Sequence, residues 1–84
     1  MNTKILSLNI SEAFEELKKI NDALDKKSRD ETDFYLKLQA IYHHLNVAWN
    51  AKNIKTEQYG TMSGKEFEDW GKFPHDFKSQ KFKT

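Results

Sequence analysis

At 84 residues, with 37% hydrophobic and 13% aromatic content, three glycines and one proline, the chain has the make-up of one small folded domain rather than a disordered segment. It has no cysteine, which excludes a disulfide staple and fits a reducing compartment. Its net charge of +1 excludes the whole-molecule field that draws a protein to nucleic acid or to an anionic membrane.

The opening MNTKILSLNI lacks the long apolar run and small-residue cleavage site of a signal peptide. No stretch approaches the ~18 apolar residues of a membrane-spanning helix. A cytoplasmic location is the expectation. Charge is slightly uneven, −2 over residues 1–34 and +3 over 35–84, too little to name a partner.

The first predicted helix covers at least residues 11–27. Leu6, Ile10, Ala13, Leu17, Ile20 and Leu24 recur at alternating spacings of four and three, the seam of an amphipathic helix. Two starts compete. Asn9 or Ser11 can cap the helix, with Glu12, Glu15 and Glu16 near its positive end; or the seam is honoured from Leu6 and the helix begins near Thr3. Glu15 with Lys19 and Asp22 with Lys26 are acid-before-base pairs on an ordinary solvated face.

The link KKSRDE has no apolar residue and is short, so the next helix should fold back antiparallel. That second helix spans about 32–53, capped by Asp30 or Thr32. Phe34, Leu38, Ile41, Leu45 and Ala48 repeat the four-three seam, with Tyr35, Tyr42 and Trp49 beside it. So wide a stripe predicts two neighbours for this helix.

Residues 53–61 read as a connector. A short third helix follows over about 64–70, announced by the capping box Ser63-x-x-Glu66, with Met62 and Phe67 placed for a hydrophobic staple and Gly71 as a left-handed stop. Phe67, Trp70 and Phe73 are expected to cover the Tyr42–Trp49 region. The tail 77–84, FKSQKFKT, has no cap and reads as flexible.

The resulting fold class is all-α: a long antiparallel hairpin and a short third helix in one domain over 1–76. The small core and the wide stripe point to a homodimer that joins two hairpins into a four-helix bundle.

No catalytic or cofactor motif is present. His43 and His44 are adjacent, so on a helix their side chains diverge by about 100° and cannot share an ion. Neither has Asp, Glu or His at the i,i+4 offset of a helical metal pair. The serines lack an elbow motif, the carboxylates are dispersed, and the glycines are isolated. No metal, cofactor or catalytic residue is expected.

The pattern with most content is Gln39, His43, Asn46, Asn50 and Asn53, spaced four, three, four and three. It forms a stripe of uncharged hydrogen-bonding groups on the side of the second helix away from its seam. Asparagine is a poor helix former, and exposed faces usually favour Lys and Glu. Read as a partner-binding face, the stripe predicts that Asn46→Lys or Asn50→Lys abolishes binding while leaving thermal stability nearly unchanged.

The leading functional expectation is a non-catalytic protein-interaction domain, adaptor or regulatory, whose partner is a second copy, another protein, or both. The alternative is a nucleic-acid-binding accessory protein, since Asn and Gln can read adenine; it lacks a basic footprint. A third reading places an enzyme site at a subunit interface around His43, His44 and His75.

Overall fold

The computed structural model of the chain describes residues 1–26 and 30–77. Among these described residues four helices follow in order: α1, Thr3–Asp25; α2, Glu31–Asn50; α3, Thr56–Gly60; and α4, Gly64–Trp70. Among the described residues there is no strand. The two long helices form the expected antiparallel hairpin, and their mutual packing dominates the tertiary contacts. No helix of the described residues is long and apolar enough to cross a membrane.

The earlier of the two possible starts for the first helix is the one adopted. Asn2, not Asn9 or Ser11, is the N-cap: its side-chain oxygen accepts from the N–H groups of Lys4 and Ile5 at 3.1 and 3.3 Å. The same residue ties the two ends of the hairpin together. Its backbone N–H donates to the Lys52 carbonyl, and its amide donates to the Ile54 carbonyl and the Thr56 hydroxyl. A cap that also makes tertiary bonds outcompetes an interior one that would make only its own. Asn9 therefore sits mid-helix and is 1% exposed.

Helix α2 begins at the Asp30 cap, whose carboxylate accepts from the Asp33 N–H, and stops at Asn50, short of the expected 53. The residues after it turn so that Ala51, fully buried, joins the core. Helix α3, within the expected connector, is a single turn with no side-chain cap. Tertiary contact holds it: the Tyr59 ring stacks on Trp70 at 5.8 Å with the planes 2° apart. Helix α4 carries the full reciprocal capping box of Ser63 and Glu66.

Gly71 ends α4 with φ −82°, so it is not the left-handed stop its position suggested. Its lack of a side chain is needed for another reason, a close approach to His43 taken up below. Lys19 pairs with Glu16 rather than Glu15, and it is an exposed ion pair of the kind that contributes little.

The core is small and lies towards one end of the hairpin. Ile5, Val47 and Ala51 form its centre, with Ile54, Tyr59 and Trp70 packed against them. The hairpin seam departs from expectation. At the core the helices meet through Ile5 and Asn9 on α1 and through His44 and Val47 on α2, with Ala51 just beyond its end. Of the expected seam, Ala13, Ile41 and Ala48 are buried as predicted, whereas Leu6, Ile10 and Leu45 stand one position further along than Ile5, Asn9 and His44, which turns them about 100° from the contact. Because the helices are antiparallel, both rotations carry those residues to the same side of the hairpin. Ile10, Leu17, Leu24, Phe34, Leu38 and Leu45, expected in the core, are 42–58% exposed.

Candidate functional site

Helix α2 has three faces, separated by single steps in register. The first is the contact with α1, through His44, Val47 and Ala51. The second, one residue earlier, is made of His43, Asn46 and Asn50 and receives α4. The third, one residue later, is apolar and open.

On the second face the amides meet the end of α4. Asn46 donates to the Gly71 carbonyl at 2.9 Å, and Asn50 donates to the carbonyls of Trp70 at 2.9 Å and Lys72 at 2.8 Å. The last carbonyls of a helix have no intrahelical donor. Two asparagines on the neighbouring helix supply donors, which accounts for a residue type that helix propensity disfavours there. His43 completes the dock, with its ring 4.4 Å from that of Phe67. A Cβ placed on Gly71 would lie 2.4 Å from His43 Nδ1, so only glycine admits the chain this close to the ring.

The polar stripe thus divides. Asn46 is buried and Asn50 half-buried, not on a free solvated face, and their amide donors are engaged within the chain. Gln39 is exposed and donates to the Tyr35 hydroxyl, and Asn53 is exposed. The expected indifference of stability to substitution at Asn46 and Asn50 does not fit these bonds. The amides that base reading would need are the same ones.

His43 and His44 point to different neighbours, their rings 5.4 Å apart and at 74°. His44 Nδ1 lies 3.0 Å from the side-chain oxygen of buried Asn9. The Asn9 amide is committed as a donor to the Ile5 carbonyl at 3.0 Å and to the Tyr59 hydroxyl at 3.1 Å. Its oxygen must therefore accept, and a neutral His44 carries its proton on Nδ1. Burial holds the His43 pKa below the ordinary imidazole value, and the neighbouring charge of His44 pushes it the same way. His75 is exposed beside Asp76, whose carboxyl is held low by the Trp49 indole N–H at 3.1 Å. Among the described residues no three His, Cys, Asp or Glu side chains are grouped to hold a metal ion.

Of the remaining aromatics, Phe73 stacks on Tyr42 at 6.5 Å, so the C-terminal segment does reach the Tyr42–Trp49 region, while Phe67 and Trp70 lie on His43 and Tyr59. Phe77 packs on Trp49 at 5.0 Å. The rest of the expected flexible tail, 78–84, lies outside the described residues.

The third face is the largest feature left. Ile10, Phe14, Leu17 and Leu24 of α1 and Phe34, Leu38, Tyr42 and Leu45 of α2 are 42–65% exposed along one side of the hairpin. Ala13, Ile41 and Ala48 floor it, each buried. A shallow groove of about 630 Å³ runs along α2 between Tyr35 and Leu45, and another of about 250 Å³ opens at the turn end between Ile20, Leu24 and Phe34. The sequence pattern assigned Ile10, Leu17, Leu24, Phe34, Leu38 and Leu45 to the interior and Tyr42 to the cover of the third helix, while Phe14 belonged to neither seam. No family model matches the chain, and no curated protein or solved structure matches it either.

Proposed function

We propose that the protein is a non-catalytic protein-interaction domain whose contact surface is the open apolar face of the α1–α2 hairpin. The observation that carries this reading is the exposure of eight large apolar side chains on one side of a two-helix layer. Soluble monomers rarely leave contiguous apolar patches beyond a few hundred Å², and larger ones rimmed by polar groups mark interaction sites. The polar stripe supports the reading indirectly, because it fixes α4 against α2 and so leaves the apolar face as the one available for a partner.

The test is affinity purification of the tagged chain from its native cells, with mass spectrometry of what comes with it. Leu38→Glu should lose the co-purifying protein. Asn53→Lys, on the exposed remainder of the stripe, should keep it. The same partner set for Leu38→Glu as for the unaltered chain would overturn the proposal.

A further inference from the structure

We infer that the occupant of the open hairpin face is a second copy of this chain, laid face to face so that two hairpins close a four-helix bundle. The inference rests on the interaction reading above and names its partner. Three observations favour a copy over another molecule.

The first is area. The eight side chains of that face are each about half exposed. The three aromatic ones present about half of the ~200 Å² such side chains carry, and with the five aliphatic ones and the polar rim the face is on the order of the 800 Å² that one partner contributes to a standard-size stable interface. The second is charge. The stripe residues from Ile10 to Leu24 and from Phe34 to Leu45 are uncharged, the acids Asp30, Glu31 and Asp33 line only the groove at the turn end, and the chain as a whole is only +1. Two copies therefore meet without like-charge repulsion across the contact.

The third is shape and register. Both stripes keep the four-three spacing that lets helices interdigitate in a bundle. They run antiparallel along the length of the hairpin, so a two-fold axis through its middle brings each stripe onto an equivalent one, an isologous contact. A copy covers both faces at once and leaves none open. It also enlarges a core that, within one chain, has only Ile5, Val47 and Ala51 at its centre.

The experiment is sedimentation equilibrium or light scattering of the full chain, paired with melting over a hundredfold range of concentration. The expected result is twice the 9.9 kDa chain mass at micromolar concentration and above, with a Tm that rises with concentration. Leu17→Glu and Leu38→Glu should each lower the mass or unfold the chain. Leu8→Glu, at an apolar side chain 49% exposed outside this face, should keep the dimer. The unaltered chain needs no variant to decide the matter: a single 9.9 kDa species up to ~100 μM with a concentration-independent Tm overturns the inference. A dimer unmoved by both substitutions overturns it as well. If the chain is monomeric but Leu38→Glu still loses a different co-purifying protein, only the second copy falls; if that loss is missing too, the interaction reading falls with it.

Discussion

Asn9 Oδ1 and His44 Nδ1 lie 3.0 Å apart, and this pair joins the two long helices by a side-chain hydrogen bond beside the core of Ile5, Val47 and Ala51. The Asn9 amide extends the link to the Ile5 carbonyl and to Tyr59 on α3. One side chain, 1% exposed, thereby connects three helices. It specifies their relative rotation, because a slip of one residue in either helix would leave buried polar groups without partners.

Asn9→Ala should therefore cost about 1–3 kcal/mol, the range for stranding buried hydrogen-bonding groups. Ser11→Ala, exposed on α1 and outside its open apolar face, should stay within about 0.5 kcal/mol. Urea denaturation of both variants measures the difference. Equal stability of the two would show that the Asn9 bonds contribute nothing net.

The asparagine dock makes a second prediction, a loss of stability where its sequence spacing suggested almost none. Asn50→Ala removes the donor to the Trp70 and Lys72 carbonyls and should cost about 1 kcal/mol. Asn46→Lys should cost more, because it places a charge where the side chain is buried. Hydrogen exchange should report the loss first in α4. Unchanged protection there in both variants would mean that α4 is held by its aromatics alone.

At Gly71 the expected result is a clash rather than a backbone effect. Gly71→Ala should destabilise by about 1–3 kcal/mol through overpacking against the His43 ring. His43→Ala clears that space, so the double variant should lose less than the sum of the single ones. Strict additivity in the double-mutant cycle would place the cause elsewhere.

His43 also predicts how stability follows pH. Its folded-state pKa is lowered, first by burial and then by His44, so the unfolded chain binds the proton more readily. The stabilisation is present above the ordinary imidazole value of about 6.5. It declines as pH falls through that value towards the folded one. NMR titration should place the His43 midpoint below that of an unstructured histidine. A midpoint at or above the unstructured value would contradict the burial seen at the dock.

The elements were legible where local chemistry is sufficient. The capping box of Ser63 and Glu66 marks the start of α4 because both of its bonds lie within four residues of chain. The hairpin follows from two apolar repeats and a polar link. Helix α3 was not legible, having no cap and one turn, and it is held by the Tyr59–Trp70 stack between residues far from either repeat. The start of α1 was ambiguous, since both candidate caps are chemically sound; bonds from Asn2 to Lys52, Ile54 and Thr56 decide between them.

The sequence alone establishes that α1 and α2 are helices with an apolar side and that Gln39, His43, Asn46 and Asn50 form a polar line on α2. Which of those sides meets which neighbour was decided only in three dimensions. Periodicity ranks the faces of a helix by hydrophobicity, and the most apolar face is the natural choice for the interior. Here the helices instead meet one residue away, where Asn9 and His44 satisfy each other and Ile5 packs on Val47 and Ala51. The asparagines that looked free for a partner carry the end of α4. Leu17, Leu24, Phe34, Leu38 and Leu45, which looked buried, line the open side of the hairpin. A turn of about 100° puts Ile10 and Leu45 at the surface while Ala13, Ile41 and Ala48 stay buried, without altering a helical repeat.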